Sequence, residues 1–160
     1  MSPRIVRLLS VLGAVVVLAV VNAAIYDKER TIANGERIYL ELAPVDPRSL
    51  MQGDYMALRF TLAREIEEAR QSGALPERAR SAPIELDARR IAHLQLDGGG
   101  GLSVAFKIRH RAVWLGTNAY FFEEGSAERY ANARFGEFRL NASSGEAVLV
   151  GLVDEALQPL

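Results

Sequence analysis

Leu8 to Tyr26 reads LLSVLGAVVVLAVVNAAIY, a run without a charged side chain. An α-helix rises ~1.5 Å per residue, so the run is about 28 Å long, close to the ~30 Å hydrocarbon core of a bilayer. Ser10 and Asn22 are its polar members, and each can bond within the helix. No polar stripe marks a solvent face, which argues against a core helix of a soluble domain. Arg4 and Arg7 precede the run, whereas Lys28 and Arg30 after it are interleaved with Asp27 and Glu29. That bias favours a cytoplasmic N-terminus and a translocated remainder, with Tyr26 at the headgroups. A second reading is a cleaved secretory signal, with Val21-Asn22-Ala23 presenting small residues before a mature start at Ala24. Both readings send the rest of the chain across the membrane. The expected division is a transmembrane anchor with a short cytoplasmic tail over 1–33 and an extracytoplasmic domain over 34–160.

Composition narrows what that domain does. The chain has 160 residues, 49% hydrophobic, with 19 basic and 20 acidic side chains. A pI of about 6.2 gives no electrostatic footprint for nucleic acid. Without cysteine there is no disulfide framework, thiolate metal site or cysteine nucleophile. From Asn34 onward, 15 basic residues face 18 acidic ones, in a chain long enough for one core.

Hydrophobic periodicity then sets the architecture. The anchor helix is expected to run past the bilayer and stop at Asn34-Gly35, a natural αL exit. Ile38, Leu40 and Leu42 alternate with Tyr39, Glu41 and Ala43 as in a half-buried strand, ended by Pro44 and Asp46-Pro47. Gly53-Asp54 signals a turn into a strand from Tyr55 to Phe60. Leu62, Ile66 and Ala69 recur at helical spacing, with Thr61 as N-cap and Gly73 beyond the end. Residues 74–83 read as a surface linker. Ile84 to Leu96 is strand with an irregularity at Arg89-Arg90. Glycines 98–101 read as a hairpin tip leading into an alternating strand at Leu102, Val104, Phe106 and Ile108. They lack the Lys-Ser/Thr of a phosphate-binding loop. Ala119 to Phe122 is a further strand, and Ser126 is placed as N-cap of a short helix to Ala133. Glu137 to Leu140 and Ala147 to Val153 flank the Ser144-Gly145 turn, and the nearly all-apolar AVLVGLV reads as a central strand. The expected class is mainly β, a compact barrel or two packed sheets, with one or two short helices besides the anchor.

The segment PVDPRSLMQGDYMALRF, residues 44–60, carries Gly53, Asp54, Tyr55, Leu58 and Phe60 at fixed spacing. It resembles the signature of the bacterial GDYXXLXY family, whose last motif position is Tyr where this chain has Phe60. Tyr120-Phe-Phe-Glu-Glu-Gly125, Tyr130, Ala133 and Ser144-Gly-Glu-Ala-Val-Leu-Val-Gly151 are similar to the family as well, so the resemblance covers about Glu36 onward. It implies a single-pass protein of the bacterial inner membrane with a periplasmic domain and a multi-spanning membrane protein as partner. Physically the motif is structural first. Gly53 supplies φ > 0 for a tight turn and Asp54 accepts backbone N–H groups across it. Met56, Leu58 and Phe60 share the core face, while Tyr55 has the other parity. Asp54 and Tyr55 are the candidate binding residues.

Catalytic constellations do not assemble. Signal-peptidase-like serine proteases are distantly similar through a Ser-Met-x-Pro-Thr-Leu-x-x-Gly-Asp pattern. Aligned on Gly53-Asp54, the nucleophile's place falls on Val45, and Ser49 lies four positions late. The base of that chemistry is a buried neutral lysine. Lys107, the domain's one lysine, has solvent-facing parity. His93 and His110, even with Glu123 or Asp97, have no metal-ligand spacing, and adjacent Glu123 and Glu124 would point to opposite faces of a strand. Trp114, Tyr120, Phe121 and Phe122 form the densest aromatic patch, read mainly as core with a share left for a partner surface. The expectation is a non-enzymatic domain without cofactor or metal that binds another envelope or membrane protein. The alternatives are a small-ligand or peptide-binding module and an inactive protease relative.

Overall fold

The computed structural model describes residues 3–43, 51–52, 55–98 and 101–160. Pro44, Val45, Asp46, Pro47, Ser49, Gly53 and Asp54, and with them half of the motif turn and the protease-like positions, lie outside the described residues.

Helix α1 runs from Pro3 to Asn34. Within it, Leu9–Asn34 is long and apolar enough to cross a membrane, with a mean hydropathy of 2.3 and no buried share. Asn22 Nδ2 donates to the Leu18 carbonyl at 2.8 Å, so the amide in the apolar run is satisfied inside the helix. The helix stops where expected, but not as expected. Neither Asn34 nor Gly35 takes positive φ. Glycine is required at 35 for space instead: a Cβ there would sit 2.4 Å from the Thr31 carbonyl oxygen and 3.1 Å from Arg139 Cβ. The chain passes from helix into sheet with no room for a side chain.

Among the described residues eleven strands follow, and every ladder between them is antiparallel. Strands β1 (Glu36–Glu41), β10 (Phe135–Leu140) and β11 (Ala147–Val153) form one sheet in the order β1-β10-β11. Strands β2 (Met51–Gln52), β3 (Tyr55–Ala57) and β9 (Ala119–Phe121) form a second. A third has β4 (Ser81–Leu86) between β5 (Ala92–Leu94) and β6 (Leu102–Ala105). Finally β7 (Lys107–Arg109) and β8 (Ala112–Trp114) make a two-stranded ribbon. Among the described residues these small sheets pack together without closing into a barrel.

Ile38, Leu40, Phe138 and Leu140 point from the first sheet into the main core, as alternation demands. The opposite face is also covered: Tyr39, Phe135 and Val153 pack with Ile91 in a second small cluster. Coverage of both faces accounts for the apolar C-terminal end of β11, at Leu152 and Val153, although the strand lies at the sheet edge with β10 central and Val150 is exposed. The apolar run suggested a central strand because strands buried on both faces lose their alternation. Val150 is the extra residue of a bulge, since Glu137 pairs with Gly151 and Phe138 with Leu149.

Helix α2 (Thr61–Gln71) lays Leu62, Ile66 and Ala69 on the core, each of the two larger side chains worth about 1.5–3 kcal/mol in burial. Its N-cap is Phe60, without a side-chain cap bond, so Thr61 is the first helical residue and not the cap. Tertiary packing explains the override: Phe60 is held edge-on against Phe138 at 5.3 Å between ring centres. The helix also serves two strands. Glu67 Oε1 accepts the Val113 N–H at 2.6 Å, and Glu65 Oε2 accepts the Leu94 N–H at 3.4 Å.

Other expectations are corrected by pairing. The linker over 74–83 is in part structure: Leu75 and Ala82 are buried, and β4 starts at Ser81. Pro83 inside β4 has no N–H to lose, and its carbonyl accepts the Gln95 N–H at 3.0 Å. The irregularity at Arg89-Arg90 is a hairpin turn between β4 and β5, with Arg90 at φ 66°. The glycine segment does not join neighbours, because β5 and β6 lie on opposite sides of β4. The strand after it breaks at Phe106, so Ile108 is exposed on the separate ribbon.

Candidate functional site

The motif strand β3 places its side chains as parity requires. Met56 is buried, as are Leu58 and Phe60 beyond the strand's end, while Tyr55 lies half-buried on the other face. Tyr55 pairs with Phe121 on β9, and their rings lie 5.8 Å apart. Phe121 is 75% exposed, more than any other large apolar side chain of the described residues, the helix α1 included. Beside it Tyr120 turns inward against Tyr130 at 5.2 Å, where Phe122 stacks as well. Burial first, and then the Tyr130 hydroxyl, push the Tyr120 phenol above its ordinary value. The aromatic patch therefore divides: Tyr120 and Phe122 pack inward, and Phe121 faces out.

A groove of about 840 Å³ opens along this region. Its walls come from the C-terminal part of α1, the β10–β11 hairpin, the β7–β8 ribbon and β9. Lys28 of α1 reaches it and pairs with Glu146 of that hairpin. Lys107 and Arg109 line it too, the latter with its guanidinium 5.0 Å above the Trp114 ring. Lys107 is solvent-exposed as expected, but so are Ile108 and Arg109, so the exposure belongs to the whole strand and not to one face of it. Both lysines of the chain thus meet in one groove.

Sequence reasoning missed this site because it missed β8. The ribbon turns on His110 and Arg111 at φ 51° and 68°, a turn of the kind usually built from Asn-Gly or Asp-Gly. Local sequence held no such signal. Trp114, four residues past His110, was the one available pointer.

The remaining candidates stay apart. His93 lies on β5 opposite Glu85, with Nε2 3.7 Å from Asp87 Oδ2, while His110 occupies the ribbon turn. Asp87 belongs to the hairpin turn, where Oδ1 accepts the Ile91 and Arg89 N–H groups at 2.8 Å each. Those bonds, the Ile91 one foremost, hold its carboxyl below the ordinary value. Glu123 and Glu124 are exposed in a turn after β9, and Ser126 precedes a 3-10 turn (Ala127–Tyr130) without a side-chain cap bond. Among the described residues no three His, Asp or Glu side chains gather as a metal set.

No curated protein and no solved structure matches the chain. A family model described as GDYXXLXY protein matches residues 17–152, beginning inside the apolar helix and running into β11. With most of its length matched, and with Tyr55, Leu58 and Phe60 set on and beyond β3 as described, the chain belongs to the GDYXXLXY family.

Proposed function

We propose that the protein is a single-pass inner-membrane protein whose β-rich part lies in the bacterial periplasm, performs no chemistry of its own and binds another envelope or membrane protein. The observation that carries this reading is Phe121. An aromatic side chain 75% exposed on an edge strand, backed by Tyr55 of the motif strand, is an interface residue in search of a cover. Helix α1 supplies the tether, and the bias of Arg4 and Arg7 supplies the orientation. The non-enzymatic reading rests on Val45 at the place of a serine nucleophile and on the exposure of Lys107. A photo-crosslinking amino acid at position 121, activated in intact membranes, tests the partner. A discrete adduct with one membrane protein is expected, competed away by excess parent protein but not by Phe121→Ala protein. The absence of any protein adduct, whether or not lipid is labelled, overturns it. A phosphatase fused to the C-terminus, active only when exported, tests the orientation.

The groove favours a second reading, a ligand-binding module. Its volume suits a small molecule, and its polar groups converge from four elements.

A further inference from the structure

We infer that the groove beside Lys28 receives the headgroup of an anionic phospholipid from the bilayer that α1 crosses. The inference rests on the ligand-binding reading and on α1 as a membrane anchor, and it names the ligand.

Depth comes first. The uncharged run ends at Tyr26, and Lys28 lies two residues further, about 3 Å along the helix axis. A helix that fills the hydrocarbon core with Leu8–Tyr26 therefore holds Lys28 among the headgroups. Lys28 lines the groove, and its pairing with Glu146 ties the β10–β11 hairpin to that level. The helix exit is fixed rather than hinged, because Gly35 is wedged against Thr31 and Arg139. The Lys28 wall of the groove accordingly stands at headgroup level.

Charge comes second. The region from Asn34 onward has three more acidic than basic residues, yet the groove gathers Lys28, Lys107 and Arg109 against Glu146 alone. With Lys28 and Glu146 occupied by one another, Lys107 and Arg109 are left with no carboxylate partner among the described residues. Two such cations facing an anionic leaflet are attracted within a Debye length. Side-chain type comes third. Trp114 and Phe121 flank the cations, and aromatic rings with basic neighbours are the residues of the membrane interface.

Trp114 is the only tryptophan in the chain and reports on the groove directly. The full-length protein is reconstituted into phosphatidylcholine vesicles containing phosphatidylglycerol. Acyl bromines near the headgroup are carried on one lipid or the other at equal mole fraction. The expected result is about twofold or deeper quenching of Trp114 emission by the brominated anionic lipid. Lys107→Gln with Arg109→Gln should bring the ratio to one while the far-ultraviolet spectrum and melting curve stay unchanged. If the double variant does not fold, Lys107→Gln alone should reduce the ratio. Equal quenching in the parent protein, or an unaltered ratio in the folded variants, overturns the inference. So does a full response of Trp114 to inorganic phosphate in pure phosphatidylcholine vesicles, which would assign the site to a soluble anion. No partner protein is present, so these outcomes leave the crosslinking test at position 121 untouched. Failure to float with vesicles after an alkaline wash would instead remove the anchor, and both readings with it.

Discussion

The Gly35 amide donates to the Thr31 carbonyl oxygen at 2.8 Å, closing the last turn of α1 where the helix meets the sheet. Thr31 is buried there, the one buried polar residue among those described, and its hydroxyl donates back to the Asp27 carbonyl at 3.0 Å. The junction is thus a packed joint between an exposed apolar rod and a β domain, and its tightness makes it testable.

Gly35→Ala should lower the stability of the domain by about 1–3 kcal/mol, the cost of forcing a methyl into filled space. Gly13→Ala, in a helix with open surroundings, should change it little or raise it slightly. Thermal unfolding of the two variants in the same detergent checks the contrast. Equal midpoints would mean that the joint is loose.

Gly136 faces the core between Phe60 and Phe138, where a Cβ would lie 3.1 Å and 2.9 Å from their rings. Gly136→Ala is expected to cost about 1–3 kcal/mol. Trimming Phe60 to Leu should recover part of that cost, so the double variant should be more stable than the sum of the singles predicts. A double-mutant cycle by urea unfolding measures it.

Glu67→Ala leaves the Val113 N–H without its carboxylate acceptor. A loss of about 1.5–3 kcal/mol is expected for a bond to a charged group. Hydrogen exchange should localise the effect to Val113 and its neighbours in β8, ahead of any change in β10.

Asp87 is held below the ordinary aspartate value by the N–H groups of its turn. A lowered carboxyl adds stability above its unfolded pKa, and that share fades as pH falls through the folded pKa. Asp87→Ala should therefore destabilise the protein near neutrality, and the gap between variant and parent should narrow as the pH falls below about 4. Unfolding curves over that range decide it; a constant gap would contradict the assignment.

Tyr120 has the opposite sign. A phenol raised by burial stabilises the fold below its unfolded pKa near 10, and that share is lost as pH rises through the folded pKa. Tyrosine absorbance titration should show a late component that Tyr120→Phe removes.

Local sequence was enough to find the helices, most strands and the inward faces. The α1 run, the Leu62-Ile66-Ala69 stripe and the Met56-Leu58-Phe60 parity each follow from the period of one element, which a single stretch of chain displays. It was not enough to say which strand stands beside which. That β11 is an edge and that β5 and β6 flank β4 depends on contacts between distant segments, for which alternation carries no address. The same holds for the candidate site. Tyr55 was legible from the motif, but Phe121 beside it, and Lys28 in one groove with Lys107 and Arg109, come from four separate elements. Gly35 shows the limit most plainly. A glycine at a helix end signals a backbone twist when only its neighbours are known. Here the crowding of Thr31 and Arg139, more than a hundred residues apart in the chain, excludes a side chain.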